Sequence, residues 1–185
     1  ARYICGHPVA DPVIWSVFKD PRKEDVMIQP GDKVPAVTLR VLTADGMDEI
    51  DTTDVFAGRT VVLFGVPGAF TPTCSAQHLP SYLKHFDALK SKGVDAIACV
   101  AVNDPFVMKN WAETSGAVGK VDMLPDGNAE LTKAMGLEMD GTGFGLGVRS
   151  QRFAAVIKDG VVKHLAVEEP GAYEVSSAEA VIKHL

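Results

Sequence analysis

Cys74 lies where a protein chain can make a thiol reactive. It follows an apolar run typical of a buried strand, 60–66, and a turn that contains Pro67. Thr71 and Pro72 form a helix-start signal, with Thr71 as N-cap and Pro72 in the first helical position. Cys74 therefore falls in the first turn of a helix, where free backbone N–H groups and the helix dipole favour an anion.

A thiolate at this position would be a nucleophile. The pKa of a free cysteine is about 8.5 and falls to roughly 3.5–7.5 at helix N-termini or beside cations. A dithiol redox motif needs a second cysteine three residues before Cys74, but Thr71 stands there. A hydroxyl cannot form a disulfide, yet it can donate a hydrogen bond to the sulfur or to an approaching oxygen. The spacing therefore favours peroxide reduction over dithiol exchange, in an accessible crevice at the end of the strand.

Two further cysteines, Cys5 and Cys99, complete the thiol content of the chain. Cys99 lies in the apolar run 96–102 and is predicted to be a buried, unreactive thiol. A role in resolving an oxidised Cys74 stays open, although thiols whose Cα atoms are more than about 7 Å apart cannot bridge without local movement. Cys5 is interpreted as an exposed, incidental thiol. Three cysteines do not indicate a secreted disulfide framework, so a reducing compartment is expected.

The sequence around Cys74 offers one histidine as a neighbour. His78 lies four residues later on the same helical face, and a packing or hydrogen-bonding role is favoured over that of a base or cation. No further Cys or His stands at ligand spacing, so no metal site is predicted. The glycine-rich segment 141–147 lacks the features of a phosphate-binding loop and is interpreted as a flexible loop. No metal or organic cofactor is therefore expected.

The elements that must position Cys74 alternate between strands and helices. Apolar and alternating runs predict strands at 37–43, 60–66, 95–102, 121–124, 153–158 and 161–166. Helical spacing and start signals predict helices at 71–92, 104–111, 128–135 and 176–185. This order predicts an α/β fold with a central mixed sheet flanked by helices. Thioredoxin-like folds have this order, although periodicity alone leaves other α/β folds open.

Four local signals make sharper predictions. Asp104 and Pro105 predict a capped helix start, and Pro80 predicts a kink within helix 71–92. The dipeptide Asp159-Gly160 predicts a tight hairpin between the last two strands. The segment 176–179, Ser-Ser-Ala-Glu, predicts a capping box at the start of the final helix.

Composition limits the domain organisation and the class of partner. The 185 residues predict one domain, 36–185, preceded by a proline-rich N-terminal arm, 1–35, that could pack through Trp15 and Phe18. A net charge of −6 argues against nucleic acid or an anionic membrane as the main partner. The apolar runs are shorter than the roughly 20 residues of a membrane span. Segment 1–18 lacks the pattern of a signal peptide.

Pro67, Thr71 and Cys74 stand in the spacing P-x-x-x-T-x-x-C. With this motif the chain resembles the peroxiredoxins of the thioredoxin-like superfamily, and in particular the type II, peroxiredoxin-5-like class. The similarity covers about residues 30–185. It extends through the segments Gly65–Cys74, Ser75, His78–Pro80, Val102–Met108 with Trp111, and Gly145–Phe153.

The resemblance implies a role for each matching residue. Cys74 would be the peroxidatic cysteine, which a peroxide oxidises to a sulfenic acid. Thr71 would hydrogen-bond the peroxide, Pro67 would shield the pocket, and the guanidinium of Arg152 would stabilise the thiolate and polarise the peroxide. Arg149 would face the other side of the strand and have a structural or interface role.

The resemblance also implies how the cycle is completed. The stretch 173–177, where some members of the class carry a resolving cysteine, has none. The expected enzyme therefore reduces hydrogen peroxide and alkyl hydroperoxides as a homodimer and is regenerated by an external thiol, glutathione with glutaredoxin or thioredoxin. It would work inside the cell, in the cytoplasm or in an organelle such as a mitochondrion or plastid. A peroxide sensor or redox relay, and a non-catalytic interaction or chaperone module, stay open as alternatives.

Overall fold

The computed structural model describes residues 26–185, which form nine strands and six helices. The strands are β1 (Thr38–Thr43), β2 (Gly46–Asp51), β3 (Thr60–Gly65), β4 (Ala96–Ala101), β5 (Asp122–Pro125), β6 (Glu138–Asp140), β7 (Val148–Ser150), β8 (Phe153–Lys158) and β9 (Val161–Val167). The helices are α1 (Thr52–Phe56), α2 (Leu79–Lys84), α3 (Phe86–Ser91), α4 (Pro105–Ser115), α5 (Glu130–Ala134) and α6 (Ala178–Ile182). A π-helical turn, Cys74–His78, precedes α2, and a 3₁₀ turn, Thr142–Phe144, precedes β7.

A five-stranded mixed sheet in the order β5-β4-β3-β8-β9 forms the centre of the fold. Strands β3, β4 and β5 are parallel, whereas β8 runs antiparallel to both β3 and β9. Alternate residues of β3 enter two cores, with Val62 and Phe64 on one face and Val61 and Leu63 on the other. This burial on both faces explains the continuous apolar runs. The predicted α/β architecture is confirmed.

The β8–β9 hairpin closes one side of the sheet, as its sequence predicts. Asp159 and Gly160 both have positive φ, 48° and 74°, which the tight turn between right-twisted strands requires. One residue of β9, Lys163, has no partner in β8, because Val156 pairs with His164 and Ile157 with Val162. This bulge sets the register of the part of the hairpin nearest to Cys74. The strand predicted at 37–43 is observed as β1, whereas β2 and α1 carry weaker signals and were not predicted.

The segment predicted as one helix, 71–92, is divided into three parts. In the π-helical turn, the N–H of Leu79 donates to the carbonyl of Cys74, five residues earlier. Pro80 has no N–H and its ring crowds the preceding turn, which the wider π turn accommodates. A second break falls at His85, where α2 ends. The interruption predicted from Pro80 is therefore observed, as a π-helical turn that immediately precedes α2.

The start of α4 agrees with its sequence prediction, whereas the start of α6 differs from it. The carboxylate of Asp104 accepts a hydrogen bond from the N–H of Val107 at 2.9 Å, which confirms the predicted start of α4. At α6 the cap is Ser177, whose hydroxyl oxygen accepts from the N–H of Ala180 at 3.2 Å. The capping box predicted from Ser176 is wrong, because the hydroxyl of Ser176 donates to a different carboxylate, that of Glu168.

The N-terminal part of the described chain is attached to the domain by its backbone. The N–H of Ile28 donates to the carbonyl of Met135, and that of Gly31 to the carbonyl of Val162. The predicted division at residue 36 stays a prediction, and Trp15 and Phe18 lie outside the described residues. Among the helices of residues 26–185, none is long and apolar enough to cross a membrane.

Gly65 is needed where β3 meets β8. A Cβ atom at this position would lie 2.1 Å from the nearest ring atom of Phe153, its cross-strand partner, and that ring is 1% exposed. We expect Gly65→Ala to lower the free energy of unfolding by about 1–3 kcal/mol, the cost of overpacking a core. Denaturant unfolding measures this change. Gly143→Ala, where a Cβ meets no atom within 4 Å, is the control and should change stability by less than about 0.5 kcal/mol. Equal losses in the two variants would contradict this account.

Candidate active site

Cys74 lies at the N-terminal end of the π-helical turn, beyond the carboxyl end of β3. The connecting loop is fixed by the N–H of Ala69, which donates to the side-chain oxygen of Asn103 at 2.9 Å. Phe70 within this loop has a positive φ of 63° and is exposed. The side chain of Cys74 is fully buried, so the accessible crevice expected from the sequence is not open to the sulfur in this conformation.

Thr71 begins the helix with its backbone and not with its side chain. Its carbonyl accepts a hydrogen bond from the N–H of Ser75 at 3.0 Å. Its hydroxyl donates to the carbonyl of Gly68 at 2.7 Å and does not cap the helix. Because the hydroxyl hydrogen is used in this bond, the oxygen is left with lone pairs that can accept a hydrogen bond.

Arg152 reaches the sulfur of Cys74 from the junction between β7 and β8. One guanidinium nitrogen, Nη2, donates to Cys74 Sγ at 3.3 Å. Guanidinium groups are permanently charged, and a positive charge close to a buried sulfur stabilises the thiolate over the thiol. The structure thus brings together two residues that are 78 positions apart in the sequence.

His78 is the second group that contacts Arg152. Its Nδ1 lies 3.0 Å from Arg152 Nη1, and its Nε2 lies 3.0 Å from the carbonyl oxygen of Ser176. A carbonyl can only accept, so Nε2 carries the hydrogen. A guanidinium can only donate, so Nδ1 is the unprotonated acceptor. The hydrogen-bonding role predicted for His78 agrees with this geometry.

Burial and charge keep His78 neutral. Its pKa is lowered from 6.5 to about 3, mainly because the ring is buried and then because Arg152 is positively charged. The hydrogen bond to Ser176 and the charge of Glu168 act in the opposite direction but do not outweigh these effects. A neutral His78 does not repel Arg152, and it orients the guanidinium through Nδ1.

The ring of Tyr173 and a surface groove complete the surroundings of Arg152. The ring of Tyr173 lies edge-on to His78, with 5.2 Å between centroids, and 6.0 Å from the guanidinium carbon of Arg152. Pro67 and Arg152 both line a groove of about 620 Å³. The other lining residues are Thr73, Met139, Asp140, Phe144, Gln151, Glu168, Glu169, Pro170, Gly171 and Ala172. Arg152 therefore lines this groove and also contacts the buried sulfur of Cys74.

Arg149 also lies near the loop before Cys74. Its Nε donates to the carbonyl of Leu146 at 2.8 Å, and its Nη1 is 3.1 Å from the position of a Cβ on Gly68. Strand β7 ends at Ser150, so the simple alternation of side chains does not extend to Arg152. The expectation that Arg149 and Arg152 lie on one strand and face opposite sides is therefore wrong. The hydrogen bond from Arg149 to Leu146 is a structural contact of the predicted kind.

Cys99 lies in the middle of β4 and is fully buried. Burial raises the pKa of the Cys99 thiol well above its usual value, and the electrostatic interaction with Cys74 raises it further. Both Cys74 and Cys99 are free thiols in this structure. Cys5 lies outside the described residues. Within residues 26–185, no group of three or more His, Cys, Asp or Glu side chains is arranged to hold a metal ion.

Sequence reasoning missed the groups behind His78. The carbonyl of Ser176 accepts from both His78 Nε2 and Tyr82 Oη, and the carboxylate of Glu168 binds Ser176 in turn. A backbone carbonyl has no sequence signature. Glu168 resembles any acidic residue at the end of a strand, so no spacing could have identified these groups.

A family model, curated relatives and a solved structure all relate this chain to the same family. The Redoxin family model matches residues 29–182. The chloroplastic peroxiredoxin-2E-2 of Oryza sativa subsp. japonica is 53% identical over 161 residues, covering 84% of this chain and 71% of that protein. Peroxiredoxin-2B of Arabidopsis thaliana is 48% identical, covering 84% and 96%. The crystal structure of reduced Prx3 from Vibrio vulnificus in complex with H₂O₂ has a TM-score of 0.82 and 54% identity, covering 85% and 99%.

Acid should destabilise the protein through His78. Between pH 6.5 and about 3 the unfolded chain binds a proton at this residue and the folded protein does not, so stability falls as the pH falls. One such proton contributes a slope of up to about 1.4 kcal/mol per pH unit. We expect His78→Gln to remove this contribution, which urea unfolding at several pH values would measure as a shallower slope. Identical slopes in the two proteins would show that His78 does not resist protonation.

Proposed function

Because this chain belongs to the Redoxin family and is a peroxiredoxin, a thiol-dependent peroxidase, we propose that Cys74 is its peroxidatic residue. The observation that carries the proposal is the contact of 3.3 Å between Cys74 Sγ and the guanidinium of Arg152. Cys99, the other thiol among residues 26–185, is buried in β4 and has no cation as a hydrogen-bond donor. A thiolate is the reactive form of cysteine, and Cys74 has the surroundings that favour it.

The first step is an in-line displacement at oxygen. The thiolate of Cys74 attacks one oxygen of the peroxide, an S–O bond forms and the O–O bond breaks. The sulfur is oxidised to a sulfenic acid, and the other oxygen leaves as water or an alcohol after it takes up a proton. Arg152 stabilises the charge on the sulfur and then the charge that develops on the leaving oxygen. The oxygen of Thr71 accepts a hydrogen bond from the peroxide O–H, and N–H groups at Thr73 and Cys74 assist.

The groove supports small peroxides as substrates. Pro67 at its rim shields the sulfur from bulk water, and the full burial of Cys74 leaves little room beside the reacting atom. Apolar side chains such as Met139 and Phe144 can contact the alkyl part of an organic hydroperoxide. Hydrogen peroxide and small alkyl hydroperoxides fit these limits. The Vibrio vulnificus relative, whose structure is described as a complex with H₂O₂, supports the first of these.

An external thiol returns the sulfenic acid to the thiol. The thiol attacks Cys74 Sγ and releases water, and a second thiol then breaks the resulting mixed disulfide. The buried, protonated Cys99 is poorly suited to this attack, and stretch 173–177 contains no cysteine. Glutathione with glutaredoxin is the first expected reductant and thioredoxin the second.

A homodimer and an intracellular location complete the proposal. The exposed side chains of Phe70 and Phe144 flank the loop before Cys74 and the groove, and a second subunit would cover them. The cytoplasm and organelles are both compatible with a free reactive thiol. Relatives named chloroplastic and mitochondrial support an organelle such as a plastid or mitochondrion.

Cys74→Ser should abolish peroxide consumption, because serine lacks a nucleophilic thiolate. Cys99→Ser is the matched control and should retain activity. Intact-mass analysis after one equivalent of peroxide, with free thiols alkylated, should show one added oxygen located at Cys74. A loss of two hydrogens mapped to Cys74 with Cys99 or Cys5 would contradict reduction by an external thiol. Undiminished turnover in Cys74→Ser would contradict the assignment of Cys74.

Arg152→Lys should slow the reaction with peroxide by about 10²-fold, since the point charge of lysine cannot contact both the sulfur and His78 in a fixed fork. Stopped-flow measurement of the second-order rate constant tests this. Arg59→Lys is the control, because Arg59 precedes β3 at the end of the strand opposite to Cys74. A rate constant for Arg152→Lys equal to that of the control would show that guanidinium geometry is not required.

A further inference from the structure

Glu168 is a buried carboxylate that no cation among the described residues neutralises. The residue is 8% exposed and follows β9. Its Oε1 accepts four hydrogen bonds: from the N–H groups of Glu174, Val175 and Ser176, at 2.7, 2.8 and 2.8 Å, and from the Ser176 hydroxyl at 2.8 Å. Burial raises the pKa of Glu168, but these hydrogen bonds outweigh it and the pKa is lowered. The carboxylate is therefore ionised, and it binds the loop that returns from Tyr173 to α6.

The hydrogen bonds from Ser176 to Glu168 hold the Ser176 carbonyl in place, where it accepts hydrogen bonds from two side chains. Ser176 is held to Glu168 through both its N–H and its hydroxyl, so the orientation of its carbonyl is defined. That carbonyl accepts from His78 Nε2 at 3.0 Å and from Tyr82 Oη at 2.8 Å. Because a carbonyl can only accept, its position selects the Nε2–H tautomer of His78.

The tautomer of His78 decides whether Arg152 can keep its contacts. With hydrogen on Nε2, the lone pair of Nδ1 accepts from Arg152 Nη1. With hydrogen on Nδ1, two N–H groups would face each other and the guanidinium would have to move. Arg152 Nη2 donates to the sulfur of Cys74, so such a movement would change the surroundings of the reacting atom.

A second, backbone connection joins Glu168 to the same arginine. The N–H of Glu168 donates to the carbonyl of Arg152 at 2.9 Å, because the β8–β9 hairpin places the two residues side by side. Glu168 is thus linked to Arg152 through its own backbone and through the side-chain path by way of Ser176 and His78.

We propose that Glu168 is a positioning residue for peroxide reduction: it holds the Ser176 carbonyl against His78 and thereby keeps the guanidinium of Arg152 on the sulfur of Cys74. The proposal rests on the proposed roles of Cys74 and Arg152. Glu168 itself contacts neither the sulfur nor the peroxide. Its effect is carried by the tautomer of His78 and the geometry of the guanidinium.

The test compares Glu168→Ala with Glu174→Ala in the full-length protein. Glu174 is exposed and belongs to the same loop, so its replacement removes the same charge without removing the four hydrogen bonds. Three quantities are measured. They are the rate constant with hydrogen peroxide, the pH titration of thiolate absorbance at 240 nm in the reduced protein, and the ¹⁵N chemical shifts of the His78 ring.

We expect Glu168→Ala to lower the rate constant about tenfold. This is the effect of losing one hydrogen bond to a charged group, here the one from Arg152 to the sulfur of Cys74. The thiolate titration should move to higher pH, and the His78 shifts should no longer report a single Nε2–H tautomer. Glu174→Ala should stay within about twofold of the parent protein. A folded Glu168→Ala protein, judged by circular dichroism, that keeps the parent thiolate titration and the Nε2–H tautomer would overturn the proposal.

A milder variant protects the test against loss of the fold. Glu168→Gln keeps an oxygen that can accept hydrogen bonds but loses the charge, so smaller shifts in the same direction are expected. If Glu168→Ala does not fold, parent values in Glu168→Gln overturn the proposal. The thiolate titration and the His78 shifts are measured on the resting protein and do not depend on turnover. They therefore distinguish failure of this inference from failure of the assigned peroxidase chemistry, which Cys74→Ser tests.

Discussion

The contact between the guanidinium of Arg152 and the sulfur of Cys74 is the interaction on which the site depends. A thiolate without exposure to water carries a large desolvation cost, and a neutral thiol would not attack a peroxide. The guanidinium lies 3.3 Å from the sulfur, and its permanent positive charge acts against this cost. The fold brings the two groups together from separate elements, since the loop before Cys74 follows β3 and Arg152 lies at the junction between β7 and β8. Strands β3 and β8 are neighbours in the sheet, where Gly65 at the end of β3 pairs with Phe153, the residue that follows Arg152.

The second partner of Arg152 explains why its charge stays available to the sulfur. A carboxylate at the place of His78 would hold the guanidinium equally well but would neutralise it. The buried imidazole is neutral, accepts through one nitrogen, and leaves the positive charge directed at Cys74. The negative charge of the network lies one layer further away, on Glu168, where it binds backbone N–H groups. His78 thus orients the guanidinium, while the negative charge is held on a different residue, Glu168.

The sequence was sufficient for those features that depend on local pattern. Continuous apolar runs identified β3, β4 and β8, Asp159-Gly160 identified the hairpin, and the residues between β3 and the helix identified Cys74. Three features could not be obtained in this way. The π-helical turn depends on packing around Pro80, the burial of Cys74 depends on the arrangement of distant loops, and the carbonyl of Ser176 has no side-chain signature. The domain boundary at residue 36 and the roles of the site residues stay predictions.

The β8–β9 hairpin also determines where the chain tolerates a change in length. Arg152 enters the hairpin and Glu168 leaves it, so both lie at its base, while Asp159 and Gly160 form its tip. Residues added at the tip would extend away from the base and leave its pairing intact. A deletion at a paired residue of β9, such as Leu165, would instead shift the residues that follow it by one position. Successive residues of a strand face opposite sides, so Glu168 would then turn its carboxylate away from Ser176, and Glu169 would take its place opposite Arg152. The structure therefore tolerates insertions at the tip of this hairpin better than deletions within β9.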